Sequence, residues 1–327
     1  MLSVASLVSS VRLRLVWKRV WGTHQETAAS HEPKRCCGVE GSNETKTHDQ
    51  LCIMARYINP YTDFGFKKLF GEEGNKDLLI DFLNQLLPPH HQIQHLTFKA
   101  TEHLPDLSSE RKAIFDIYCE AINGERFIVE MQKAKINFFK DRALFYVTFP
   151  IRDQSKRGEW DFELQPIYMI AILDFEYDEK EEQKKFLRHV QLKDQDCQVF
   201  YDKLHFKFIQ MPLFNKTETE LETHFDKWIY FLKKLETFDD IPAILKEPVF
   251  EKAFEIAEIA RFSPEQRNQY EHSRLNYLEM TAVIHTAEMD GRKKEKIKMA
   301  QTMKKDNLPI ETIAKYTGLS EAEIQKL

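Results

Sequence analysis

The sequence predicts an α/β protein in which a mixed sheet flanked by helices is followed by a helical C-terminal region. Three observations carry this expectation. Residues 113–132, AIFDIYCEAINGERFIVEMQ, are two apolar-alternating arms about an Asn-Gly, the mark of a β-hairpin. A helical-period segment at 137–152 leads into the almost wholly apolar LQPIYMIAILDF of 164–175, which reads as a crossover helix and a strand buried on both faces. Beyond Asn215 apolar residues recur at helical spacing. The 327 residues carry a net charge of −5, so any contact with nucleic acid has to rest on a local basic patch. No apolar run is long enough to span a membrane.

Residues 1–53 differ from the rest. Arg12, Arg14, Lys18 and Arg19 interrupt an apolar start, which breaks the core of a signal peptide but also fits a mitochondrial transit peptide; 23–49 is polar and aperiodic. Five cysteines, Cys36, Cys37, Cys52, Cys119 and Cys197, form an odd, unpatterned set. Neither a disulfide framework nor a zinc site is expected, and a reducing, cytoplasmic setting is.

From 62 to 87, Phe66, Leu69, Phe70, Leu78, Leu79, Phe82, Leu83 and Leu86 predict two short helices, broken near Gly71 and Gly74 and stopped by Pro88-Pro89. Asp63 stands at the edge of the first, where an acid commonly caps the helix. Residues 93–98 read as a first strand. The Pro105-Asp106 that follows lies among turn formers, so Asp106 has no fixed register.

In the hairpin, Phe115, Ile117, Cys119, Ala121 and Phe127, Val129, Met131 are apolar at odd positions, so both arms want their odd face in the core. Paired residues share a face and a one-residue slip inverts a strand, so odd must pair with odd. A two-residue Asn123-Gly124 turn violates this. A three-residue loop, Ile122-Asn123-Gly124, satisfies it, with Gly124 left-handed and Ala121 opposite Glu125. The ladder then sets Asp116 opposite Glu130, at the roughly 4.5–5.5 Å Cβ separation of a direct pair. Two such carboxylates can share one divalent cation, and Gln132 lies on their face. This is the working set of a metal-dependent phosphodiesterase.

On 137–152 the expected inner side carries Phe138, Arg142, Phe145 and Phe149, with Tyr146 one turn beyond Arg142. Strands are expected at 186–192 and 204–212, and helices at 217–235, 249–261 and 264–290. A basic run follows at 291–305, whose default reading is a solvated helix face. The last segment has helix-turn-helix rhythm: Ile310, Ile313 and Ala314, a turn at Thr317-Gly318-Leu319, Ser320 as N-cap and Ile324.

Glu130-Met131-Gln132, NPYTDFGFKKLFG (59–71), LLIDFLNQLL (78–87) and the Arg142/Tyr146 pair together resemble the PD-(D/E)XK nucleases, most closely the Rpn-type recombination-promoting nuclease and transposase group. The likeness runs from Met54 to the C-terminus and is most specific up to Tyr177. It implies a restriction-endonuclease-like core, hydrolysis of DNA phosphodiesters with Mg²⁺ (Mn²⁺ as an alternative ion), and a link to recombination. Asp116 and Glu130 would hold the metal, Gln132 would position water, Arg142 would steady phosphate, and Asp63 would join the site as a further acid. Where the wider pattern has Lys, Gln132 is a neutral amide, though Glu-x-Gln is common in the subgroup. Lys133 falls on the opposite face of a regular strand.

MARYINPYTDF also resembles a family start, so Met54 is the expected native start. The expected organisation is a disordered or wrongly assigned extension (1–53), a nuclease-like domain (54–215), a helical region (216–290), and a basic linker with a helix-turn-helix-like hairpin (291–327). DNA is the expected partner, no membrane is, and a homodimer is left open. The competing expectation is a DNA- or protein-binding member of the fold with weak or absent catalysis.

Overall fold

A computed structural model describes residues 55–103, 113–155, 161–177 and 184–327. The N-terminal extension, Met54 and Asp106 lie outside the described residues.

The chain opens with α1 (Asp63–Phe70) and α2 (Lys76–Asn84), separated by a short 3-10 turn after Gly71, as the spacing of apolar residues requires. The strands are β1 (Leu96–Phe98), β2 (Glu102–His103), β3 (Ala113–Ile114), β4 (Ile117–Ala121) and β5 (Arg126–Gln132). Helix α3 (Phe139–Arg152) crosses to β6 (Ile167–Leu173), and β7 (Leu187–Lys193) and β8 (Val199–Gln210) complete the sheet. The rest is helical: α4 (His224–Lys234), α5 (Pro248–Ala257), α6 (Pro264–Lys305), α7 (Ile310–Thr317) and α8 (Glu321–Gln325).

Six strands form one mixed sheet in the order β1-β4-β5-β6-β8-β7, with β2 and β3 as a separate pair. The antiparallel β1-β4-β5 section joins β6 in parallel through α3, and β6 pairs with β8 in parallel. Every residue of β6 is buried, as expected of a strand covered on both sides. Odd residues of β5 face a core shared with α1, α2, α4, α5 and the start of α6; Ile128 faces the core under α3. The first of these cores draws on residues from Tyr57 to Tyr270, on both sides of position 215.

The hairpin register is the one that parity demands. Ile117 pairs with Val129 and Cys119 with Phe127. The Ala121 N–H donates to the Glu125 carbonyl (2.8 Å) and the Gly124 N–H to the Ala121 carbonyl (2.9 Å), closing a loop of Ile122, Asn123 and Gly124. Gly124 has φ +85°, a conformation costly for any residue with a Cβ.

Several expectations are corrected. The first strand starts at Leu96, because the Asn84 side chain binds both the N–H and the C=O of Ile93 and so withdraws it from the ladder. Helix α3 is turned from its expected face: it buries Phe139, Ala143, Tyr146, Val147 and Phe149, and leaves Phe138 78% and Phe145 42% exposed. Strand β8 begins at Val199, since β7 continues to pair with it past an irregularity in register. Helix α6 runs unbroken through Gly291 and the basic run, whose charged side chains are exposed. The terminal hairpin has the expected form, with Gly318 left-handed (φ +67°) and Ser320 forming a capping box with Glu323; Ile313, Leu319 and Ile324 close on Ala300 of α6.

Candidate active site

The end of the sheet where β5 runs out gathers the acids. Asp116 lies one residue before β4, at the position the ladder sets opposite Glu130. The two are joined crosswise: the Asp116 N–H donates to Glu130 Oε1 (3.1 Å), and the Met131 N–H donates to Asp116 Oδ2 (2.8 Å). Glu130 is 5% exposed. Burial, and then the Asp116 charge, push its carboxyl up to about 8, against the Asp116 N–H, Arg142 and Lys67. Asp116 is raised too, chiefly by burial; the Met131 N–H, Lys67 and Lys133 oppose this and Asp63 adds to it. A buried carboxyl raised by its neighbour's charge, beside a half-buried one raised chiefly by burial, makes a site short of positive charge.

Helix α1 brings the next groups. Its N-cap is Thr62, whose hydroxyl donates to the Asn59 carbonyl (2.7 Å) and accepts the Gly65 N–H (2.9 Å). The capping role expected of Asp63 is thereby corrected: Asp63 falls in the first turn, where a Lys67 ion pair (3.0 Å, one turn on) engages it. Gly65 allows the close approach to Asn59, since a Cβ there would stand 2.2 Å from the Asn59 carbonyl oxygen. Helix α6 is tied across this end by three bonds: Asn59 N–H to Tyr270 Oη (3.0 Å), Phe64 N–H to Ser273 Oγ (3.0 Å) and Tyr277 Oη to Asp174 Oδ2 (3.2 Å). Ser273 thus satisfies a backbone donor that the start of α1 leaves open.

Between α1, the hairpin end and α6 lies a cavity of about 810 Å³, lined by Asp63, Lys67, Lys68, Asp116 and Lys133 and, from α6, Gln269, His272 and Asn276. Glu130, Gln132 and Arg142 are not among its lining residues. Gln132 Nε2 reaches the Ala134 carbonyl at 3.4 Å. Arg142 donates to Tyr146 Oη (2.6 Å), and its guanidinium stacks on that ring, 4.9 Å from the centroid. Arg142 opposes the rise of the Glu130 carboxyl, and the Glu130 charge adds to burial in raising the Tyr146 phenol, so this pair and Glu130 form the part of the site under α3. The expected residues therefore divide into the crossed pair Asp116/Glu130, a cavity side with Asp63, and an α3 side with Arg142.

Lys133 leaves β5 toward α1, as its odd number requires, and that is the side with the cavity. Sequence reasoning set it aside because the position of the cavity depends on packing by α1 and α6. The α6 contributors Gln269, His272 and Asn276 stand at spacings of three and four on a segment whose sequence predicts only a helix.

Among the described residues no group of three or more His, Cys, Asp or Glu is placed to hold a metal. The available donors are the two carboxylates, each with one oxygen engaged by a backbone N–H. That set suits Mg²⁺, which is held by one or two protein carboxylates and otherwise by water and phosphate oxygens. No helix among the described residues is long and apolar enough to cross a membrane.

A family model described as PD-(D/E)XK nuclease family transposase matches residues 60–287. No curated protein and no solved structure gives a match.

Proposed function

The chain belongs to the PD-(D/E)XK nuclease family transposases, and from that premise we propose that it is a metal-dependent DNA endonuclease hydrolysing phosphodiester bonds. The observation that carries this reading is the crosswise-bonded pair Asp116/Glu130, of which Glu130 is buried and Asp116 lines a cavity with three lysines. Asp116 and Glu130 would hold Mg²⁺ or Mn²⁺. Such an ion, when bound, polarises a phosphate oxygen and lowers the pKa of a bound water.

The chain's own groups do the rest. The N–H groups of Asp116 and Met131 fix one oxygen of each carboxylate, which leaves the others for the ion. Tyr146 holds Arg142 near Glu130, where its donors can meet a phosphate oxygen. Asp63 keeps Lys67 at the mouth of the cavity. Gln132, as a neutral amide, orients water by hydrogen bonding alone. The resemblance links it to recombination, and the unpatterned cysteines suit a reducing cytoplasm.

The test is nicking of supercoiled plasmid by the full chain in Mg²⁺ or Mn²⁺, against Asp116→Ala and Glu130→Ala. Each substitution is expected to lower the rate by about two orders of magnitude or more, several kcal/mol of barrier. Equal cleavage by all three proteins refutes the assignment. The neutrality of Gln132 favours one second reading, a DNA-binding member with little catalysis; tight binding without metal-dependent nicking would select it.

A further inference from the structure

Three lysines line the cavity, and they are not equivalent. Lys67 is paired with Asp63 at 3.0 Å and Lys68 with Glu72 at 3.0 Å. Lys133 has no carboxylate within ion-pair distance among the described residues, and it is half-buried. Asp63 and Asp116 stabilise its charge from across the cavity, but burial outweighs them and lowers its pKa. A half-buried ammonium without a direct partner is costly unless an anion completes it.

The local backbone explains how the side chain gets there. The β5–β6 ladder ends at Gln132 opposite Leu173, and the Asp174 N–H closes it on the Gln132 carbonyl at 3.0 Å. Lys133 is the first residue past this clamp, on the cavity side. Gln132 Nε2 bonds locally to the Ala134 carbonyl at 3.4 Å.

We propose that Lys133 is the phosphate-binding cation of this site: its ammonium takes an oxygen of a nucleic-acid phosphodiester in the cavity beside Asp116, a contact that Gln132 does not make. This rests on the nuclease reading for the identity of the anion. Of the three lining lysines, Lys133 is the one without a direct carboxylate partner among the described residues, which suits a phosphate that would also bear on a carboxylate-bound metal, and a cavity of about 810 Å³ has room for such a group. A merely structural Lys133, neutralising Asp116 at a distance, would affect stability and leave the protein's dealings with salt unchanged.

That difference is the test. Affinity of the full chain for a duplex oligonucleotide is measured against NaCl from about 50 to 200 mM, at fixed millimolar Ca²⁺, for the parent, Lys133→Met, Lys133→Arg and Gln132→Ala. Each phosphate contact contributes about 0.9 to the slope of log K on log salt. Lys133→Met is expected to flatten the slope by about 0.9, Lys133→Arg to restore it, and Gln132→Ala to leave it as in the parent. Urea melts of Lys133→Met establish that it is folded, and Lys133→Arg carries the comparison if it is not.

A parent slope retained by Lys133→Met overturns the proposal, as does an equal flattening in Gln132→Ala. Plasmid nicking by the same proteins separates the two readings. Flattening in Lys133→Met with no nicking by the parent removes the hydrolase and keeps the phosphate site. Nicking with unchanged slopes does the reverse, and a parent that does not bind DNA overturns both.

Discussion

Replacing Glu130 by Gln tests the charge shortage of the carboxylate pair without any appeal to catalysis. In the folded protein burial and Asp116 carry the Glu130 carboxyl from its ordinary 4.5 to about 8. Its folded value is the raised one, so the stability linked to it is fully present below about 4.5 and is lost as pH rises to about 8. At about 1.4 kcal/mol for each pH unit, the loss is on the order of 3–5 kcal/mol, part of it shared with Asp116. The assay is urea unfolding in EDTA at pH 5 and at pH 9. The parent is expected to weaken markedly between them relative to Glu130→Gln, and the variant to be the more stable at the higher pH. Millimolar Mg²⁺ or Mn²⁺ should restore the parent at high pH by binding the folded state alone, and do little for the variant. Parallel pH profiles for the two proteins, or equal metal effects, would refute the reasoning.

Three further outcomes follow from local geometry. Gly124→Ala forces a Cβ onto a residue at φ +85° and to 3.1 Å from Gln165 Cγ, so a loss of roughly 1–2 kcal/mol is expected in urea melts. Thr62→Ala removes the α1 cap and is expected to cost about 1 kcal/mol, while Thr62→Ser, which keeps the hydroxyl bonded to Asn59 and Gly65, recovers most of it. Arg142→Lys gives up the planar stack on Tyr146 and a charged hydrogen bond. It is expected to slow plasmid nicking roughly tenfold, about 1.5 kcal/mol of lost contact, with little change in melting; an unaltered rate would remove Arg142 from the site.

The hairpin was legible because two constraints met on it. Odd-numbered apolar residues in both arms excluded the two-residue turn, and Gly124 supplied the left-handed position that the longer loop needs. From the register alone Asp116 and Glu130 fall together. Elsewhere local signals tied or misled. Thr62 and Asp63 are both good caps, and the choice fell to Thr62 because Asn59 and Gly65 close around its hydroxyl. Three phenylalanines at 138, 145 and 149 suggested one inner face of α3, but a left-handed Phe138 starts the helix so that Phe139 and Tyr146 point inward. The helix was expected to end near Asp290, before Gly291, yet an isolated Gly costs a helix only about 1 kcal/mol, and α6 continues through it and the basic run.

The part of the site that no local pattern could disclose is its sidedness. Strand parity sends Gln132 with Glu130 and Lys133 to the other face, which makes the neutral amide look like the heir to the place of a catalytic cation. Parity does not say which face is open. Under α3, Phe139, Ala143, Tyr146 and Val147 fill the space beside the sheet. On the other face α1 and α6 leave the cavity and are tied together beside it by bonds such as Phe64 N–H to Ser273 Oγ, between residues 209 apart in the chain. Asp116 lies just outside β4 and reaches that cavity, although it pairs with Glu130. Lys67 and Lys133 line that cavity, whereas Arg142 lies on the α3 side. On the proposed function, then, the missing charge at Gln132 bears less on catalysis than the motif suggests, because one residue later Lys133 brings a cation to the cavity that Asp116 lines.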